Sequence, residues 1–255
     1  AREMAALKND TFRGSVERRV LAKSMRPSDA ETEAARSAIA HAAIAASDID
    51  FVLSSSFCPD AINVPNAFAV NRNLGMKQRC YTSGLDAGCN AFPLQLELAQ
   101  QMIAGGRARY GLLTQSSILS RLLPYNEPFS TYFGDGAAAM VVGPVADGYG
   151  ILGSSHFSNG GDCGALVAGV PGKEWYEEGR SYWYQNEKKT VFRMLLTVAD
   201  IGKQAIDAAL EDAGSISPAT IDFFACHQGT PWMRKVVQEH ARLTRARALD
   251  TFPLA

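Results

Sequence analysis

The stretch Ser83-Gly-Leu-Asp-Ala-Gly-Cys-Asn-Ala-Phe-Pro-Leu-Gln-Leu-Glu-Leu-Ala-Gln100 places one cysteine where small residues give way to a helical apolar pattern. From Ala91 to Ala104 the residues are good helix formers, with Leu94, Leu96, Leu98 and Met102 apolar. Pro93 fits a helix only in its first turn, where a missing N–H costs nothing. The helix is therefore expected to start near Asn90, with Cys89 at its head. Unpaired N–H groups and the macrodipole favour a thiolate there. Gly84 and Gly88 allow a sharp turn out of a preceding strand and a close approach of substrate to backbone. Free cysteine is also among the most buried residue types, so from this stretch alone Cys89 is either a nucleophile or a packing residue.

The bulk composition narrows the setting. The chain has 255 residues, enough for one large domain or two smaller ones. Hydrophobic residues make up 47% and charged residues 20%, as in ordinary globular proteins. The net charge of −1 offers neither nucleic acid nor an anionic membrane a basic surface. No apolar run is long enough for a membrane span, and the first ten residues lack a signal-peptide core. The five cysteines are odd in number and form no Cys-x-x-Cys pair. This argues against a disulfide framework or a metal site and sets a reducing cytoplasm as the default.

Working outward, the chain shows an internal echo. Ser28 to Ala46 reads as a helix, with Ser28 and Asp29 as caps and Glu31 as a capping-box partner. A short buried strand over residues 48–56 follows. Later, Val198 to Ala213 reads as a helix ended by Gly214, and a strand is expected within Pro218 to Gln228. The tripeptide Ile-Asp-Phe recurs at the same place in each unit, at 49–51 and 221–223. Such a long-period echo suggests two related halves. We divide them as residues 1–145 and 146–255. Arg109–Gln115 reads as a strand, and Gly134–Gly143 as a glycine turn entering a buried strand. Alternating helices and strands indicate an α/β fold. Asn159 to Lys189 is rich in glycine, aromatics and charge, and reads as a long surface excursion.

A nucleophilic thiol needs a proton acceptor or a positive neighbour. Of four histidines, His41 and His240 fall on helices with structural roles, and His156 is ambiguous. His227 stands where the second unit's strand ends, and strand ends are where α/β proteins place chemistry. Gly134 and Gly136 match no phosphate-loop pattern and read as a structural turn.

With these residues in place, the sequence resembles the β-ketoacyl-acyl-carrier-protein synthase III (KAS III)-like branch of the thiolase superfamily. The resemblance rests on several segments in the family's order. They are Gly14-Ser-Val-Glu-Arg-Arg19, Ala34–Ile39 with Asp48–Leu53, and Asp86-Ala-Gly-Cys-Asn-Ala-Phe92. Phe133-Gly-Asp-Gly-Ala-Ala138, Tyr182–Phe192 and His227-Gln-Gly follow. It implies a five-layered αβαβα thiolase fold of two pseudo-duplicated halves, and a homodimer. It implies that Cys89 attacks an acyl thioester and carries the acyl group, with its own N–H in an oxyanion hole. His227 then stabilises the enolate formed on decarboxylation, or acts as base toward an acceptor. Arg13, Phe133 and Gly229 are the candidate substrate contacts. No cofactor or metal is implied; acyl groups arrive as thioesters of coenzyme A or acyl-carrier protein.

The sequence departs from the family in three places. A third catalytic residue, usually Asn, is expected just beyond Ala255. The family's opening and closing strands are expected outside residues 1–255, so the chain is expected to be incomplete at both ends. Phe12 stands where many relatives carry a coenzyme A-binding Arg, which leaves Arg13 as substitute and makes carrier-protein delivery the more plausible. Arg234 and Lys235 are either a docking patch for an acidic carrier or a solvated helix face. Two reactions stay open: decarboxylative Claisen condensation onto a malonyl-type thioester, and acyl transfer to a hydroxyl or amine. A non-catalytic partner subunit and a cysteine hydrolase are the other classes the residues allow. The aromatics Phe129, Tyr132, Trp175, Tyr176, Tyr182, Trp183 and Tyr184 either line an acyl tunnel or pack the excursion.

Overall fold

The structure, a computed structural model, describes residues 15–254 and the main chain alone at Leu254. Phe12, Arg13 and Gly14, assigned above, lie outside the described residues. The chain divides into two compact units. Of the described residues, one unit comprises 19–121 and 134–150; the other comprises 15–18, 122–133 and 151–254.

The Cys89 unit is built on a four-stranded sheet. Its strands are β1 (Phe51–Ser56), β2 (Tyr81–Gly84), β3 (Gly111–Ile118) and β4 (Asp135–Val142), in the order β2-β1-β3-β4. The first three run parallel and β4 is antiparallel. Helices α1 (Pro27–Ala42) and α2 (Asn66–Leu74) cover one face, and α3 (Ala91–Ala104) the other. The alternation of side chains along β1 decides which residue meets which layer. Val52 packs with Ala35, Ile39, Ala67 and Val70 of α1 and α2, whereas Phe51 and Leu53 pack with Ala99 of α3. Phe51 also explains Gly111 opposite it on β3. A Cβ at Gly111 would stand 1.9 Å from the Phe51 ring, so only glycine lets the two strands meet there.

Three expectations change in this unit. The first helix ends at Ala42, because Ala43 turns left-handed (φ 53°) and the chain enters a 3-10 turn at Ala46–Asp48. Its start is fastened by Asp29, whose carboxylate accepts the backbone N–H of the N-cap residue Arg26 at 2.8 Å. Glu31, expected as the capping partner, is instead turned inward and fully buried. Among the described residues only β3 pairs with β4, so β4 is the edge of the described sheet, alternately half-buried and exposed.

In the His227 unit, the excursion folds into an antiparallel ribbon of β5 (Leu166–Gly169) and β6 (Tyr182–Gln185), joined by a loop that exposes Trp175 and Tyr176. Helix α4 (Lys188–Asp212) begins ten residues earlier than expected. Helix α5 (Met233–His240) packs on it at Gly202, where a Cβ would come 2.9 Å from Val237. The strand expected within 218–228 does not form as a ladder. Among the described residues only Arg247 pairs with it, through a single parallel bridge to Phe223, so two backbone bonds form and the pairing stops.

The echo nevertheless extends to individual hydrogen bonds. Each Ile-Asp-Phe is entered through a 3-10 turn, Ala46–Asp48 in one unit and Pro218–Thr220 in the other. Ile49 N–H donates to Ala46 and Ile221 N–H to Pro218, each at 3.3 Å. The Asp50 carbonyl accepts from Tyr81 N–H, and the Asp222 carbonyl accepts from Arg247 N–H, each at 2.9 Å. Residue 247 thus holds the place in its unit that the start of β2 holds in the other. The two halves are pseudo-duplicates.

Candidate active site

The elbow between β2 and α3 carries Cys89. Gly88 adopts φ 56°, a left-handed conformation that glycine takes without strain. Tight turn bonds follow, from Asn90 N–H to Ala87 and from Ala91 N–H to Gly88. Asn90 is the N-cap position of α3 and makes no side-chain cap; the Ala91 N–H is taken by the Gly88 carbonyl and Pro93 has none to offer, so Cys89 stands immediately before a helix start with few open N–H groups. The residue is exposed and its thiol free. The protein around the sulfur still pushes the thiol pKa above its ordinary 9.0, with the Cys89 backbone N–H offsetting this only in part. That direction opposes the shift expected from a helix N-terminus. Removing water from a thiolate costs more here than one amide returns.

His227 lies in the other unit, after the bridge at Phe223. Protein around the imidazole lowers its pKa below 6.5, so the ring is neutral at pH 7. Gly229 belongs with it. A Cβ at Gly229 would stand 2.8 Å from His227 Nε2, so this position sets the room in which the ring can turn. The Cys226 thiol points back to the His227 carbonyl at 3.2 Å. Phe133 sits elsewhere in the unit, edge-on to Phe129 at 6.2 Å.

Gln228, unnoticed in the sequence beyond its place in a motif, stitches the next segment to the histidine. Its Nε2 donates to the Leu249 carbonyl at 2.7 Å, and its Oε1 accepts from Thr251 and Phe252 N–H at 2.9 and 3.2 Å. Arg234 reinforces the same contact. It grips Asp250 through two bonds, Nε to Oδ1 at 2.6 Å and Nη2 to Oδ2 at 3.0 Å. The guanidinium holds the Asp250 carboxyl below its ordinary range. Arg234 thus forms an internal clamp on the segment that follows.

A second unnoticed cluster lies in the same unit as the elbow. Buried Glu31 accepts from Asn66 Nδ2 and Ser116 Oγ at 2.7 Å each and from Thr114 Oγ1 at 2.6 Å. Burial pushes this carboxyl up, and the three hydrogen bonds pull it part of the way back. No periodicity marks Glu31, because a charged residue in a helix reads as solvent-facing until the partners across the sheet are known.

Comparison with known proteins converges on one family. The family model for 3-oxoacyl-[acyl-carrier-protein] synthase III matches residues 84–160, the span that holds the Cys89 elbow and β4. The β-ketoacyl-[acyl-carrier-protein] synthase III of Caldanaerobacter subterraneus subsp. tengcongensis is 31% identical over 241 residues, covering 92% of this chain and 71% of the relative. The chain belongs to the β-ketoacyl-[acyl-carrier-protein] synthase III family. Solved structures agree. The synthase III of Thermus thermophilus superposes with a TM-score of 0.79 at 26% identity, covering 92% of this chain and 73% of that one. The priming β-ketosynthase of the R1128 polyketide pathway does so at 0.81 and 25% identity, covering 93% and 71%. The α/β thiolase fold expected from the sequence is the fold this synthase III chain adopts. No helix among its described residues is long and apolar enough to cross a membrane.

Proposed function

We propose that the chain is a condensing enzyme that carries an acyl group on Cys89 and passes it to a malonyl-type thioester. The observation that carries this reading is the free, exposed thiol on the turn that leads into α3, in a chain of the synthase III family. The Cys89 sulfur, as thiolate, attacks the acyl thioester carbonyl, and the coenzyme A or carrier thiolate leaves. The Cys89 N–H helps hold the oxyanion. The malonyl thioester then loses carbon dioxide, and its enolate carbon attacks the acyl-cysteine carbonyl. The C–S bond breaks, and a β-ketoacyl thioester leaves with Cys89 restored as thiolate. His227, neutral at pH 7, supplies a hydrogen-bond donor to the enolate oxygen. Acyl-coenzyme A or acyl-carrier protein is the donor, and the working form is a homodimer. Arg13, Phe133 and Gly229 remain the proposed substrate contacts, Gly229 by leaving space beside the imidazole.

Transfer to a hydroxyl or amine is the second reading, because a neutral imidazole can equally take a proton from an acceptor. Malonyl thioester labelled in its free carboxyl separates the two. Release of labelled carbon dioxide that depends on prior acylation, with a β-ketoacyl product, supports condensation. An ester or amide product with the carboxyl retained refutes it.

A further inference from the structure

We propose that Glu31 is a positioning residue for the Cys89 elbow and acts through Ser116 and Ser56. The proposal rests on the reading of Cys89 as nucleophile. Glu31 has no exposed surface and lies on the side of α1 where Ala35 and Ile39 fill the helix–sheet interface. An ionised carboxylate there is costly, and an apolar residue would pack the site at lower cost. What the carboxyl group supplies is direction: its Oε1 takes the Asn66 amide N–H, so it stands as an acceptor toward the Ser116 hydroxyl as well.

The Ser116 hydroxyl has one proton. With that proton given to Glu31 at 2.7 Å, its oxygen can only accept from Ser56 Oγ, 2.8 Å away. Ser56 Oγ in turn accepts the Cys58 N–H at 3.3 Å. The chain of bonds thus runs one way, and it ends on the segment that touches the elbow. Ser56 N–H donates to Asp86 Oδ1 at 3.2 Å, three residues before Cys89. Phe57 N–H donates to the Ser116 carbonyl at 3.2 Å, and the tip of the Phe57 ring lies 4.0 Å from where a Cβ on Gly88 would stand. Leu85 N–H donates to the Ser54 carbonyl at 2.9 Å. The elbow has no side-chain cap beyond its own turn bonds, so these ties to the end of β1 set where the sulfur and its backbone N–H stand.

The test is a mutant cycle of Glu31→Gln, Ser56→Ala and the double variant. Two readouts are taken: the rate of Cys89 alkylation by iodoacetamide, followed by peptide mass, and the single-turnover rate of Cys89 acylation. Gln keeps the shape but can donate as well as accept, so Ser116 loses its fixed direction. Each single variant should slow both rates about tenfold with little change in melting temperature. The double variant should be no slower than either single, as for residues acting in one network. Unchanged rates in the single variants, or effects that multiply in the double, would overturn the proposal. Should Glu31→Gln fail to fold, Ser116→Ala replaces it in the same cycle. Alkylation needs no substrate, so it also separates the two claims. A wild-type Cys89 that alkylates but accepts no acyl group would refute the proposed function and leave the relay measurable.

Discussion

At Cys89 and His227 the surroundings act in opposite directions on the pKa and to the same end on charge. The thiol is pushed above 9.0 and the imidazole below 6.5, so both residues rest neutral at pH 7. Iodoacetamide should therefore inactivate Cys89 at a rate that still rises with pH above 8; a plateau reached by pH 7 would show a stabilised thiolate instead. For His227 the sign follows from linkage. The folded pKa lies below the unfolded value of about 6.5, so the unfolded chain binds more protons between the two. The stability His227 confers as a neutral ring is complete above pH 6.5 and is lost as pH falls through its folded pKa. His227→Ala should lower condensation about 100-fold or more while leaving acylation of Cys89 detectable, since general acid–base groups contribute on that order. Equal loss of both half-reactions would place the histidine in the first step. The residue scale is also where the sequence was least informative. Cys89 and His227 stand in recognisable motifs, but Glu31 and Gln228 act through partners 85 and 21 positions away, a distance no local pattern encodes.

At the scale of elements, two features govern the sheet. Gly111 exists because Phe51 occupies the space beside it. Gly111→Ala should abolish folding or cost about 3 kcal/mol, as overpacked core positions do, and Phe51→Leu should recover part of the loss. Asp50 fastens the start of β1. It accepts from Lys77 Nζ at 2.6 Å and from Arg109 and Tyr110 N–H at 2.7 and 3.3 Å. Burial raises its pKa, but these bonds outweigh burial and hold the carboxyl below its ordinary range. Its contribution is full above the unfolded value of about 3.9 and lost as pH falls through the lower folded value. Asp50→Asn should cost about 2 kcal/mol at pH 7, and the difference from wild type should close in acid. Helix α3 and the parallel strands β1 and β3 were legible because apolar periodicity sets them locally, whereas α2 was not predicted and the start of α4 was placed ten residues late. Helix α3 begins and ends where its residues indicate, with Pro93 in the first turn. The edge character of β4 was not legible, because it depends on which strand lies beyond it. The strand after Ile221 was overread for the same reason. Its residues suit a strand, but pairing needs neighbours, and Arg247 alone supplies two bonds.

Across the whole molecule, the recurrence of Ile-Asp-Phe proved to be the visible trace of a duplicated framework with matching turns and matching carbonyl acceptors. The halves differ at their strand ends. One carries the cysteine elbow, and the other a histidine loop clamped to residues 249–252 by Gln228 and Arg234. Arg234→Met should loosen that clamp and raise hydrogen exchange at residues 249–252 without touching Cys89 alkylation. Slowed alkylation would mean that the clamp acts on the nucleophile's half as well. The measurement that bears most directly on the central claim is peptide mass analysis after incubation with acyl thioesters of coenzyme A and of acyl-carrier protein, followed by a chase with malonyl-carrier protein. We predict an acyl adduct on the Cys89 peptide alone, absent in Cys89→Ala and discharged by the chase. An adduct on another residue, or none from any donor, would contradict the assignment of Cys89 as the acyl carrier.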